Sequence, residues 1–160
     1  MTESGAVKVR QATILDLERL VPLFDAYRQF YRRASDIELA RRFLYERFQH
    51  NESIIFIALG QDGTALGFTQ LFPSFSSVSA APILVLNDLF VSPAARRLKV
   101  GSSLLMAAAN YARSVGAVRL TLSTEVTNVT AQALYEREGW SRQTTFYVYN
   151  LGLDPQEPQR

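Results

Sequence analysis

The sequence predicts a single α+β domain, and three observations carry that expectation. Two stretches with helical spacing come first, a β-rich block follows, and strands then alternate with helices towards the end. The chain has 160 residues, of which 48% are apolar, enough to bury one core. No internal repeat and no linker composition interrupts it. The domain is therefore expected to span residues 1–160, with 153–160 a frayed tail, because "DPQEPQR" is polar and carries two prolines.

Taken in order, "VKVRQAT" alternates and reads as a first strand. Leu17, Leu20, Val21, Phe24, Tyr27, Phe30 and Tyr31 recur at helical spacing, with an irregular first turn that accommodates Asp16 and Pro22. "SDIELARRFLYERF" opens with Ser35 as N-cap and Glu38 three residues on, the pattern of a capping box. "SIIFIALGQDGTALGFTQLF" is two β-rich runs around Asp62-Gly63, a hairpin. "FPSFSSVSAAP" reads as a long loop, and "ILVLNDLFV" as an apolar strand. "GSSLLMAAANYARSVG" is a helix ended by Gly116, "AVRLTLST" a strand, "VTAQALYEREG" a short helix stopped by Gly139, and "RQTTFYVYNLGL" a last strand.

Composition excludes several classes of function. There is no cysteine, so no disulfide framework and no thiolate nucleophile, and one histidine argues against a zinc site. The apolar runs are too short to span a bilayer and the N-terminus lacks a signal-peptide order, so neither a membrane nor secretion is expected, and the chain reads as cytoplasmic. A formal charge of +2 gives no argument for nucleic acid.

The chemistry concentrates in "SPAARRLKVGSSLL", from Ser92 to Leu105, at a strand-to-helix junction. The first N–H groups of a helix have no partner and its dipole presents positive potential, so such an end binds phosphate. Arg96, Arg97 and Lys99 add full charges, and Gly101 has no Cβ to hold a ligand away. Local physics alone leaves a helix end with solvated charge as the even alternative.

The run from "LNDLFVSPAARRLKVGSSLL" to "NVTAQALYEREGW" resembles the GNAT superfamily of acyl-CoA-dependent N-acetyltransferases. That family carries Arg/Gln-x-x-Gly-x-Gly/Ala at the junction, then Asn-x-x-Ala-x-x-x-Tyr followed by Gly-Phe or Gly-Trp. Arg96, Lys99 and Gly101 occupy the first motif, and Asn128, Ala131, Tyr135, Gly139 and Trp140 the second. The opening "VRQATILDLERLVPLFDAYRQFY" is also similar to the family's usual start. The resemblance implies a GNAT-like mixed sheet of about six to seven strands flanked by about four helices. It implies acetyl-CoA as co-substrate, without metal, and a primary amine of a small molecule or protein as acceptor. The strand end Leu89, Phe90 and Val91, the cradle Arg96, Arg97, Leu98, Lys99, Val100, Gly101 and Ser102, and Asn128 and Tyr135 are the expected cofactor contacts.

One departure stands in the first motif: Lys99 replaces the family's middle glycine. If residue 99 needs a positive φ, a lysine there costs roughly 1 kcal/mol or more. A helix starting at this junction would instead put residue 99 in its first turn, with helical φ; this is the conformation expected, and its ammonium would then add a contact to the pyrophosphate. Asn128 is expected to hold the pantetheine arm, with a helix N-cap as the safer local reading.

For catalysis, Tyr135 matches the family tyrosine that donates a proton to the CoA sulfur; its alternative is core packing. Asp88 and Glu125 are the candidate bases, drawing a proton from the amine through water. Asp88 is the sole acidic residue between Gly63 and Thr124, in a strand where a carboxylate is costly unless bonded or functional. Each has a structural ion pair or cap as its alternative. Some family members carry a Glu-Asp pair on this strand, where Asn87 stands here, and others a glutamate at the position of Ser123, two residues before Glu125.

His50 reads as a cap for helix carbonyls, and Tyr27, Phe30 and Tyr31 first as core, with a border on the acceptor groove implied by the resemblance. Tyr147 and Tyr149 share a strand face, as acceptor-pocket walls or as the seam of a homodimer. Two functions remain: an N-acetyltransferase, or a non-catalytic acyl-CoA-binding or sensing domain. Tyr135 favours the first, since a binder needs no donor at the sulfur. Few acidic residues near the motifs speak against a highly cationic polyamine.

Overall fold

The structure is a computed structural model that describes residues 6–156. Its element order is β1 (Lys8–Gln11), α1 (Leu17–Phe30), α2 (Ile37–Gln49), β2 (Ile54–Leu59), β3 (Ala65–Ser76), β4 (Ala81–Val91), α3 (Val100–Ser114), β5 (Leu120–Thr121) and α4 (Val129–Arg137). Short 3₁₀ turns at Ile14–Asp16 and Pro93–Ala95 precede α1 and α3. The strands form one mixed sheet in the order β1-β2-β3-β4-β5, antiparallel throughout except for β4 and β5, which run parallel.

The sheet is covered on both faces, and β2 shows why its run is apolar at every position. Ile55 and Ile57 pack with Leu20, Val21 and Phe24 of α1 and Ala40 and Leu44 of α2. Phe56 and Ala58 point the other way, into the cluster of Val100, Leu104, Leu105, Ala108 and Ala112 of α3.

The irregular start of α1 has a clear cause. Thr13 caps the 3₁₀ turn, and Asp16 returns a capping bond to the Thr13 N–H at 2.9 Å. Asp16 is buried and accepts two 2.7 Å hydrogen bonds from the Arg10 guanidinium, linking β1 to the helix start. Pro22 lies inside α1 as its sixth residue.

Four expectations need correcting. The N-cap of α2 is Asp36, whose carboxylate accepts from the Leu39 N–H at 2.9 Å. Ser35 is drawn away, donating its hydroxyl at 2.7 Å to buried Asp25. The Ser- and Pro-rich stretch is not a long loop: β3 and β4 pair as far as Ser76↔Ala81, leaving only residues 77–80 as the turn. Pro73 is tolerated because β3 loses its β2 neighbour after Leu71, so the missing donor falls on a free side. The sheet has five strands rather than six or seven, since "RQTTFYVYNLGL" forms no strand among the described residues. Alternation marks a segment able to pair, but a strand exists only where a neighbour completes its ladder. Likewise β5 is two residues long, limited to its contact with Leu84 and Val85.

Among the described residues, no helix is long and apolar enough to cross a membrane.

Candidate active site

The site opens where the sheet splits. β5 pairs with β4 only at Leu84 and Val85, so the β4 residues after them have no β5 neighbour on that side. A bulge deepens the separation: Gln70 faces Asp88 and Leu71 faces Leu86, leaving Asn87 as the extra residue on β4. The Tyr27 hydroxyl of α1 donates to the Asn87 carbonyl at 3.2 Å. Beside this split lies a cleft of about 910 Å³, walled by β4, the loop before α3, α4 and the end of α1.

At the α3 end, the loop forms a backbone concavity. Arg96 is extended (φ −64°, ψ 148°), Arg97 is left-handed (φ 71°) and Lys99, the α3 N-cap, is left-handed again (φ 58°). The first N–H groups of α3, from Val100 to Ser102, follow this turn without intrahelical partners, and such a helix end binds anions. The Lys99 expectation is thus corrected: residue 99 is outside the helix and adopts the conformation a glycine takes without penalty. The lysine holds this conformation at the cost of strain. The carbonyl of Lys99 is held by the Ser103 N–H and hydroxyl, each at 3.0 Å.

Arg96, Arg97, Lys99 and Arg137 are the charged side chains of the lining, which contains no carboxylate. Val100, Gly101 and Ser102 line the cleft at the first turn of α3. Val100 is 1% exposed and packs its side chain in the core, so only its backbone is available. Gly101 serves a second need: a Cβ there would meet Leu134 of α4 at 3.1 Å, so the missing side chain brings the two helices together. Leu98 is 48% exposed and is not among the lining residues, so the expected contact is not formed by its side chain. Leu89, Phe90 and Val91 do line the cleft, although Phe90 also packs towards α1.

On the opposite wall, Asn128 caps α4 by accepting from the Ala131 N–H at 3.2 Å, and it faces the cleft. Tyr135 stands two turns further on, its ring 6.0 Å from that of Trp140. Burial pushes its phenol up to about 12, with the phenol of Tyr31 adding to the shift. The hydroxyl is therefore protonated at any physiological pH.

The two expected bases do not join it. Asp88 is 2% exposed and accepts from the Gln70 and Asn87 side-chain amides. Gln70 in turn accepts from the Ser53 hydroxyl at 2.8 Å, which makes a polar network inside the sheet. Glu125 is exposed on the turn before α4, 3.5 Å from the Thr127 hydroxyl. Neither lines the cleft. His50 is the α2 C-cap, exposed and 3.4 Å from Glu52. Among the described residues, no group of three or more His, Cys, Asp or Glu is placed to hold a metal.

Tyr27, Phe30 and Tyr31 line the cleft; Tyr27 also packs on the core, whereas Phe30 is 54% exposed and the core position expected of it from helical spacing is not taken. Arg137 and Glu138 had no signal in the sequence. Glu138 is bonded to Ser102 across the α3–α4 junction at 2.6 Å.

Fold and site together define an acyl-CoA-type transferase architecture: a splayed mixed sheet with a cationic helix N-terminus at the split. The chain belongs to the Acetyltransferase (GNAT) family, which matches residues 20–140, and it is an acetyltransferase. It is 48% identical to the "Uncharacterized N-acetyltransferase YhfO" of Bacillus subtilis (strain 168), covering 92% of this chain and 98% of that one. A crystal structure described as a "probable acetyltransferase" superposes with a TM-score of 0.87 at 42% identity, covering 92% and 98% of the two chains. An aminoglycoside N-acetyltransferase solved in complex with CoA shares the fold, with a TM-score of 0.78 at 20% identity over 94% of this chain and 98% of the other.

Proposed function

We propose that this enzyme transfers the acetyl group of acetyl-CoA directly to a primary amine that carries little other positive charge. The observation that carries this reading is the lining of the cleft: four cations, a helix N-terminus and no carboxylate. Cations and free N–H groups suit the pyrophosphate of CoA. A polycationic acceptor would find neither counter-charge nor a base there.

Within this reading, Arg96, Arg97 and Lys99 with the N–H groups of Val100 to Ser102 hold the pyrophosphate. Leu89 to Val91 offer strand backbone to the pantetheine arm, and Asn128 stays a cap that also borders it. The amine nitrogen bonds to the acetyl carbon and the carbon–sulfur bond breaks. Tyr135 hydrogen-bonds the sulfur as charge develops on it. A phenol near 12 lies well above an ordinary thiol near 8.5, so net proton transfer from Tyr135 alone is uphill. The thiolate must therefore be protonated finally by the proton the amine gives up, relayed by water. Asp88 and Glu125 take structural roles: the first organises the β4 bulge, the second the turn before α4. The cytoplasmic setting expected from the sequence is part of this reading.

Release of free thiol from acetyl-CoA, measured against a panel of amines, tests it. Weakly charged amines with pKa values near that of an α-amino group should outperform polyamines. A polyamine as best substrate overturns the acceptor assignment, and binding of acetyl-CoA without thiol release from any amine points to a sensing domain.

A further inference from the structure

We infer that Tyr27 is a positioning residue of this enzyme: its hydroxyl holds the Asn87 peptide at the β4 bulge and so aims the strand from Leu89 to Val91 at the pantetheine arm of acetyl-CoA. The inference rests on the proposed seat of the arm along those three residues, and it gives a role to a side chain that acetyl transfer as described does not use.

The bulge needs a hold from outside the ladder. Asn87 is its extra residue and has no register partner on β3, where Gln70 faces Asp88 and Leu71 faces Leu86. On the other side, β5 pairs with β4 only at Leu84 and Val85, so strand pairing does not fix Asn87 there either. The residue is exposed. A bulge bends its strand, and the direction of the strand beyond it depends on how that extra peptide is turned.

Side chains supply the hold. The Asn87 amide donates to the Asp88 carboxylate at 2.8 Å, and the Asn87 carbonyl accepts from the Tyr27 hydroxyl at 3.2 Å. One residue on, the Asp88 carbonyl accepts from the buried Thr69 hydroxyl at 2.8 Å. Both carbonyls are thus tied before β4 reaches Leu89, its first residue in the cleft lining. Thr69 and Asp88 act from within the sheet, whereas Tyr27 reaches the bulge from α1, 60 residues earlier in the chain.

The Tyr27 ring is suited to this task. Its centroid lies 6.2 Å from that of Phe24, 5.1 Å from Tyr31 and 6.1 Å from Phe68, so three neighbouring rings fix its plane. A hydroxyl on a ring already immobilised by packing gives up little further rotamer freedom when it bonds. Tyr27 also shares the cleft wall with Phe30 and Tyr31, which links the end of α1 to the strand that receives the arm. At 3.2 Å the bond is long for an O–H donor, which leaves room for it to tighten once the arm is seated.

Tyr27→Phe keeps the ring among its three neighbours and removes the hydroxyl. Calorimetry with CoA and with adenosine diphosphate separates the arm from the pyrophosphate, since the second ligand has no arm. The variant should bind CoA about two- to ten-fold more weakly, the range for one hydrogen bond, with its affinity for adenosine diphosphate unchanged. In the ligand-free enzyme, the backbone amide resonances of Asp88 and Leu89 should move between wild type and variant while those of α3 stay in place. Asn87→Ala cuts the other tie to the same peptide at an exposed position, and it should reproduce the selective loss for CoA. Equal losses for both ligands would show a general disturbance of the fold. Undiminished CoA affinity in either variant would show a bulge fixed without these side chains. Weaker CoA binding with unmoved Asp88 and Leu89 amides would make Tyr27 a direct contact of the arm. Each of these three results overturns the inference. A wild type that binds CoA no better than adenosine diphosphate overturns it through its premise. None of these readouts involves an amine, so failure of the acceptor assignment and failure of the role of Tyr27 are told apart.

Discussion

The hydroxyl of Ser102, in the first turn of α3, donates a 2.6 Å hydrogen bond to the carboxylate of Glu138 at the C-terminal end of α4. This ties together the two helices that bear the family's motifs, and it sets an anion beside the phosphate cradle. Glu138→Gln keeps an acceptor for Ser102 and removes the charge. Acetyl-CoA should then bind about two- to five-fold more tightly, the scale of a partly screened charge pair. Calorimetry reads this directly, and weaker binding would show that the charged tie organises the cradle.

Lys99 is the second case in which local conformation decides. A left-handed L-residue costs roughly 1–2 kcal/mol, and glycine returns about 0.5–1 kcal/mol of that as unfolded-chain entropy. Lys99→Gly should therefore stabilise the fold by up to about 1 kcal/mol, a rise of about 2–4 °C in Tm. Its acetyl-CoA affinity should show a shallower dependence on salt, one cation being gone. Lys99→Ala keeps the strain and loses the charge, so it should weaken binding with no gain in Tm.

Tyr135→Phe keeps the ring against Trp140 and deletes the donor. Turnover should fall by about 10²–10³-fold, the scale for losing one hydrogen-bond donor to charge developing in the transition state, with acetyl-CoA affinity nearly unchanged. Because burial holds the phenol near 12, the wild-type rate should show no loss attributable to this group on the alkaline side up to about pH 10. Unchanged turnover in the variant would assign Tyr135 to packing.

Asp88→Ala separates a buried structural carboxylate from a base. Gln70 and Asn87 would each lose an acceptor, at a cost of about 1–3 kcal/mol or more. Denaturant unfolding should show that loss, while the pH-rate profile of the surviving folded enzyme keeps its shape. Disappearance of an acidic limb from the profile would restore Asp88 as the base.

Acid should unfold the protein through two buried carboxylates. Asp16 is held below the usual 3.8 because the Arg10 guanidinium donates to it, against the effect of burial. In Asp25 burial opposes ionisation, but the Asp36 N–H, Ser35 and Gln29 donate to the carboxylate, and with the charge of Arg28 they outweigh it. Both groups bind protons less tightly folded than unfolded. Their contribution is complete above the unfolded value and disappears as pH falls through the lower folded values, so stability should decline from about pH 5 downwards. Arg10→Met should cost about 1–3 kcal/mol at neutral pH and make that decline shallower.

The sequence by itself determined the two motifs, their order and the periodic segments, because these rest on local spacing. The helix N-terminus at residue 100, the Asn128 cap and the turns at Gly63, Gly116 and Gly139 all involve interactions within a few residues. Tertiary structure decided the rest. Asp36 replaced Ser35 as cap because buried Asp25, ten residues before Ser35, needed its hydroxyl. Lys99 became left-handed because the loop must turn from β4 into α3, a constraint residue identity does not reveal. Asp88 was withdrawn from the cleft by Gln70 and Asn87, partners supplied by strand register and a bulge. The last strand failed to form because a strand is defined by its ladder, and among the described residues none pairs with 142–153 as a strand.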